Sequence, residues 1–301
     1  MASGLLIEEG EKMRTEEEMF QMILEIAKQD ERIRAVYLNG SRTNPNVKKD
    51  EYQDFDIVYV VNDVIPFLNN PEWLKKFGEI AVMQEPNSKA FGWGGDHNEQ
   101  ESYTWLMLFS DGNRIDLHLD IKKVALDRYL EDTLTIKLLD KDDFLPDLAK
   151  ANDQFHWIQK PSQIEFHGVC NEFWWCLNNV AKGLNRHQIP YVLKMYYEIV
   201  HPQLFQLVDW SVAQKNNFQI TTGLFGKYYE MLLTKERYEA YLKTYPNPNP
   251  EAIWQAIFNA CYLFRELGIE IAESLGFSYN LVEDQNMQRY LTQMYKKEND
   301  K

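Results

Sequence analysis

The stretch Leu38–Val61, LNGSRTNPNVKKDEYQDFDIVYVV, decides how the first half of this chain folds and what it can do. It runs from a Gly40-Ser41 turn through a polar spacer to two aspartates, Asp54 and Asp56, at the mouth of an apolar run. Side chains alternate across a strand, so Asp54 and Asp56 point one way while Phe55 and Ile57 point the other. Two like charges on one face repel each other unless a cation sits between them. A carboxylate pair of this kind suits magnesium, which takes hard oxygen ligands and leaves the rest of its octahedron to water and substrate phosphates. The turn ahead of it supplies donors: backbone N–H groups at Gly40 and Ser41, the Ser41 hydroxyl and the Arg42 guanidinium are candidates for phosphate oxygens. Asp-x-Asp pairs and Gly-Ser turns also occur in solvated loops, so the reading needs its context.

Outward from this stretch, Thr15 with Glu18 reads as a capping box that opens an amphipathic helix ending near Asp30. Ala35–Leu38 and Asp56–Val61 read as strands, Pro71–Phe77 as a helix and Ile80–Met83 as a third strand. Gly92–Gly95 reads as a loop, and Tyr103–Phe109 with Arg114–Leu119 as a hairpin turned by Ser110–Asn113. On the outgoing strand Asp116 lies between Ile115 and Leu117 and faces opposite to them, which makes it the third acid of a metal-plus-base constellation. His118 alternates with Asp116; an ordinary strand residue is the simpler reading of it, since the six histidines show no HExxH spacing.

After about residue 158 the pattern becomes helical. Ser162 with Glu165 is a second capping box, followed by apolar residues at helical spacing from Phe166 to Leu184. Further helices are expected at Tyr191–Val200, Gln203–Gln214, Lys227–Leu233, Glu251–Leu275 and Leu281–Tyr295. Pro246–Pro250 is a connector that no helix crosses. The expected architecture is α+β: a mixed-sheet domain over 13–158 and an all-helical domain over 159–296. Met13 reads as a second start, which makes residues 1–12 a leader.

The formal charge of −14, from 32 Lys+Arg against 46 Asp+Glu, disfavours a nucleic-acid partner and favours a cationic one. Cys170, Cys176 and Cys261 lack CxxC spacing and read as core residues of a cytoplasmic protein. No run approaches the roughly 20 apolar residues of a membrane span.

The Gly40-Ser41, Asp54-x-Asp56 and Asp116 pattern matches the nucleotidyltransferase superfamily with a polymerase-β-like palm. The segments DERIRAVYLNGSRTN (30–44), QDFDI (53–57), MQEP (83–86), LLDKD (138–142), CNEFWW (170–175) and VAKGL (180–184) together resemble the streptomycin (aminoglycoside 6-) adenylyltransferase family from about Met13 to Tyr295. One departure is Asn39, where the family usually carries a glutamate before Gly-Ser. The resemblance implies transfer of AMP from ATP to an aminoglycoside hydroxyl, with release of pyrophosphate. It implies that Asp54 and Asp56 hold Mg2+, and that Asp116 is a third ligand, a general base, or both. It also implies a lysine from the helical domain at the triphosphate. Lys182 matches that role.

Asn171, Asn178 and Lys182 form one polar stripe on the helix opened by Ser162, with Glu172 beside it. A solvated face is the plain reading, and the resemblance makes Glu172, Asn171 and Asn178 substrate-binding candidates. Lys227 is a weaker phosphate candidate. Glu85, Asp96 and Glu101 border the expected drug cleft, where charge-assisted bonds and aromatic faces would suit guanidinium groups. The expected molecule is a monomer that binds a small cationic aminoglycoside. The alternatives are a nucleotidyltransferase acting on a lincosamide or a metabolite, and a non-catalytic nucleotide-binding protein.

Overall fold

Helix α1 (Glu16–Gln29) starts where Thr15 accepts from the Glu18 N–H and the Glu18 carboxylate accepts from the Thr15 N–H, so both orphan donors are satisfied before the first turn closes. We describe a computed structural model, in which residues 12–91 and 97–299 are described. The leader read at residues 1–12 lies outside the described residues except for Lys12. The loop at Gly92–Gly95 and Asp96 lie outside them entirely.

Six strands follow α1: β1 (Ile33–Asn39), β2 (Phe55–Val61), β3 (Ile80–Gln84), β4 (Ser102–Phe109), β5 (Arg114–Ile121) and β6 (Thr135–Asp140). They form one mixed sheet in the order β3-β4-β5-β2-β1-β6; β2 and β5 run parallel and the other neighbours antiparallel. A short helix α2 (Ile65–Leu68) and a 3-10 segment at Pro71–Phe77 follow β2. Helix α3 (Lys122–Glu131) follows β5. The expected hairpin is present, with Gly112 at φ +88° in its turn. The helix expected at Pro71–Phe77 takes the tighter 3-10 form. Helix α3 and strand β6 carry no sequence expectation.

The sheet has two packed faces. Phe55, Ile57 and Tyr59 join Met19 and Ile23 of α1 in the larger cluster, while Val58, Val60, Ala35 and Tyr37 pack under Ala125 and Tyr129 of α3. Asp56 shares the α3 face with Val58 by alternation, but lies one row further on, among residues that are not in the buried cluster.

The contacts divide the chain into two compact units, with the boundary in sequence between Phe155 and His156. In the second, α4 (Gln163–Asn185), α5 (Ile189–Met195), α6 (His201–Lys215), α7 (Tyr229–Leu232), α8 (Lys235–Leu242), α9 (Pro250–Leu275) and α10 (Leu281–Asn299) enclose one core. The Ser162–Glu165 box is formed at α4, and Phe173 of α4 stacks on Phe264 of α9 at 3.7 Å. The Asn249 side chain caps α9 and Pro250 is its first residue, so the proline-rich connector ends where proline is tolerated. All three cysteines are buried and free. Among the described residues, no helix is long and apolar enough to cross a membrane. The architecture is α+β.

Candidate active site

The parallel pairing of β2 with β5 sets Asp56 opposite Asp116, and the antiparallel pairing of β1 with β2 sets Asn39 opposite Asp56. Asp54 precedes β2 by one residue. The three acids therefore meet at the amino ends of two neighbouring strands, with a cation among them. Arg114, two residues before Asp116 on the same strand face, donates from Nε to Asp116 Oδ1 at 2.7 Å and from Nη2 to Asp116 Oδ2 at 2.8 Å. Its Nη1 stands 3.3 Å from Asp54 Oδ2.

Asp56 has no ion pair of its own among the described residues. Burial, reinforced by the neighbouring Asp116 and Asp54 carboxylates and opposed by Arg114 and Arg42, pushes it up to about 7. A cation bound beside it would favour the ionised carboxylate.

Gly40 is what lets Asp56 sit there. Its φ is +77°, and a Cβ at this position would lie 2.1 Å from Asp56 Oδ2. The Gly40 N–H is spent on the Leu134 carbonyl at 3.2 Å, so this residue supplies clearance rather than the free donor expected of it. Arg42 also departs from expectation. Its guanidinium is buried, donating to the carbonyls of Asp54 at 3.0 Å and Gln53 at 2.6 Å, pairing with Glu16 at 3.3 Å and lying over the Phe55 ring at 3.7 Å. It fixes the backbone that carries Asp54 and has no free donor edge for a phosphate. Ser41 opens a 3-10 turn over Ser41–Thr43, and its carbonyl accepts from Gln53 Nε2 at 3.3 Å.

Beside the acids is a cavity of about 510 Å3, bordered by Asn39, Gly40, Asp56, His118, Arg128 and Glu131 among others. Asn39 Nδ2 donates to Thr135 Oγ1 at 2.8 Å, and its Oδ1 is buried with no hydrogen-bond partner. His118 Nδ1 lies 2.9 Å from Thr104 Oγ1, and burial holds its imidazole below the usual histidine range despite nearby Asp120. Asp120 is fully buried, held by Arg128 at 2.8 Å and by Ser102 Oγ at 2.5 Å. His118 thus lines the cavity rather than serving only as a strand residue.

The donor chemistry of Asp54, Asp56 and Asp116 fits a hard divalent cation. Among the described residues, however, no group of three or more His, Cys, Asp or Glu side chains is already gathered around one metal position. Asp54 and Asp116 direct oxygens at Arg114 instead.

The other candidates belong to the helical unit. Lys182 is exposed and donates to Asn178 Oδ1 at 2.7 Å, so these two stand together on α4. Asn171 donates instead to Glu283 of α10, and Glu172 is exposed and accepts from Cys176 Sγ at 3.3 Å. Trp175, which carries no sequence expectation, is 65% exposed on the same stripe, four residues from Asn171 and seven from Lys182. Lys227 Nζ lies over the Tyr228 ring at 5.2 Å, and Glu85 accepts from the Tyr103 hydroxyl at 2.7 Å. Arg114 carried no sequence expectation, although the alternation that identifies Asp116 also sets it on that face; Arg128 and Glu131 sit on a helix with a weak apolar stripe and gave no such signal.

The family model for streptomycin adenylyltransferase matches residues 13–294. An aminoglycoside 6-adenylyltransferase of Bacillus subtilis (strain 168) is 35% identical over 89% of this chain and 93% of its own length. Relatives of the same name from Campylobacter jejuni and Staphylococcus aureus are 33% and 30% identical, over 95% and 94% of this chain and 97% and 99% of theirs. A crystal structure of an aminoglycoside 6-adenyltransferase from Bacillus subtilis is 32% identical, covers 94% of this chain and 99% of that chain, and has a TM-score of 0.46. With a family model spanning nearly the whole chain and three relatives of at least 30% identity over most of it, the chain belongs to the streptomycin adenylyltransferase family of nucleotidyltransferases.

Proposed function

We propose that this protein transfers AMP from ATP to a hydroxyl of streptomycin or a closely similar aminoglycoside, and so inactivates the drug in the cytoplasm. The observation that carries this reading is the convergence of Asp54 and Asp116 on one guanidinium, with Asp56 paired across the strands to Asp116 and pressed against a side-chain-free Gly40. In the reaction, the drug hydroxyl oxygen bonds to the α-phosphorus, the bond from that phosphorus to the α,β-bridging oxygen breaks, and pyrophosphate leaves. The hydroxyl proton passes to a carboxylate, for which Asp116 is our candidate. Magnesium, held by Asp54, Asp56 and Asp116, would neutralise triphosphate charge when bound. Gly40 keeps Asp56 in place, Arg42 holds the Asp54 backbone, and Ser41 is the remaining phosphate donor of the turn. Lys182 offers an exposed ammonium for the triphosphate.

Residues 13–158 act as the nucleotidyltransferase domain and 159–296 as the helical domain. Asn171, Glu172 and Asn178 offer polar contacts to the drug, and the exposed Trp175 ring suits a guanidinium face. The net charge of −14 supports a cationic substrate over a nucleic acid. The test is pyrophosphate release and label transfer from α-labelled ATP across a panel of aminoglycosides, lincosamides and hydroxylated metabolites. Labelled AMP on streptomycin is expected; turnover confined to another acceptor class would overturn the substrate, and none with any acceptor would overturn the activity.

A further inference from the structure

Arg114 has three properties that a merely structural ion pair does not combine. Its fork closes on both oxygens of Asp116 at 2.7 and 2.8 Å, and its third nitrogen reaches Asp54 at 3.3 Å. These are two of the three carboxylates assigned to the metal. The guanidinium is also poorly buried: its side chain is 42% exposed, against 15% for Asp116 and 38% for Asp54. A group on a flexible stem at the protein surface can leave its partners for water at small cost, whereas a buried one cannot. Finally, among the described residues, Asp56 beside it has no ion pair of its own.

A guanidinium and a divalent ion cannot use the same carboxylate oxygens at once. They compete for the same lone pairs, and they repel each other at contact distance. We propose that Arg114 is an internal counter-ion that holds Asp54 and Asp116 in the free enzyme and is displaced when a divalent cation binds. This rests on the adenylyltransferase reading, because it takes these acids as the metal's ligands. It accounts for two facts together: the like charges of the opening motif coexist in the free chain, and no metal position is pre-gathered among the described residues. The free enzyme is then guarded against bare metal, and the metal binds at the cost of one ion pair. Arg114 is a positioning residue on this account, since it acts by holding other residues.

The test is Mn2+ binding to the nucleotide-free protein by electron paramagnetic resonance, with thermal melts in EDTA and in saturating Mn2+, for the wild type, Arg114→Ala and Arg114→Lys. Arg114→Ala is expected to bind Mn2+ up to about fivefold more tightly, the upper end for one exposed bridge. Arg114→Lys keeps the charge but loses the fork, and is expected to fall between the two. In EDTA, Arg114→Ala should melt below the wild type, and saturating Mn2+ should close that gap because the metal takes over the bridging.

An Arg114→Ala variant that binds Mn2+ no more tightly than the wild type would overturn the competition. A melting deficit that persists in saturating Mn2+ would make the pair a structural one and do the same. If all three proteins bind Mn2+ with one affinity, this inference falls while the adenylyltransferase reading stands. If none binds, including Arg114→Ala, this inference falls too, while the adenylyltransferase reading is judged by label transfer from ATP.

Discussion

Replacing Gly40 by alanine isolates the contact on which the site's geometry depends. The backbone there has φ +77° and ψ −158°, a conformation an L side chain pays about 1–3 kcal/mol to adopt. The added Cβ would also stand 2.1 Å from Asp56 Oδ2 and 2.9 Å from its Cγ, far inside the roughly 3.5 Å of an ordinary contact. Because β2 is hydrogen-bonded on both sides, by β1 and β5, the strand cannot retreat and the carboxylate must swing by about 1 Å or more. A displacement of that size at a reacting centre costs on the order of 10²-fold in rate. Gly276 is the control: at φ +73° and ψ +29° it is in the milder left-handed helical region, and nothing lies within 4 Å of its would-be Cβ. In urea unfolding and a pyrophosphate-release assay, Gly40→Ala should lose about 2–4 kcal/mol of stability and about 10²-fold in kcat, while Gly276→Ala should lose about 1 kcal/mol and no activity. A Gly40→Ala enzyme within about threefold of wild-type kcat, and no less stable than Gly276→Ala, would refute the claim that clearance at Gly40 positions Asp56.

Further expectations come from the helical unit. Lys182→Ala should raise KM for ATP and leave the unfolding midpoint unchanged, since the side chain is exposed and bonded to Asn178 of its own helix; an unchanged KM and kcat would remove it from the site. His201 is buried against Thr244 and burial holds it down to about 4, so the folded state refuses a proton that the unfolded chain accepts below about 6.5. Stability is then full above that pH and falls as pH drops toward 4, by at most about 3 kcal/mol; a His201→Gln variant with the same slope in urea titrations between pH 7 and 4 would contradict it. Gly168 lies inside α4 with open space around it, so Gly168→Ala should stabilise by about 0.5–1 kcal/mol in the same assay; a loss would show a contact on that face.

The parts of the fold legible in the sequence were those with a local physical signature. Thr15–Glu18 and Ser162–Glu165 marked helix starts because the capping residues satisfy donors within one turn. Strand alternation placed Asp56 and Asp116 on one face, and the pairing of β2 with β5 brings them opposite each other. Strand β6 and helix α3 were not legible: β6 is an edge strand with one buried residue and a lysine in its middle, and α3 buries only Ala125 and Tyr129. Their amphipathic patterns are correspondingly weak, and packing against the sheet decides them.

At the site, residue type was readable but partner choice was not. Arg42 looked like a phosphate donor because it follows Gly-Ser; its long stem instead carries it inward over Phe55 to the carbonyls of Gln53 and Asp54. Similarly, the Gly40 N–H meets Leu134, a residue 94 positions away whose approach no local pattern announces.

The central claim is that Asp54, Asp56 and Asp116 together grip a divalent cation against nucleotide oxygens. A crystal structure with Mn2+, a non-hydrolysable ATP analogue and anomalous data tests it directly. The expected result is an anomalous peak within about 2.0–2.3 Å of carboxylate oxygens from Asp54, Asp56 and Asp116, with Arg114 withdrawn from Asp54 and Asp116. A nucleotide bound with its phosphates away from these acids, or metal density elsewhere while the Arg114 bridge stays closed, would contradict it.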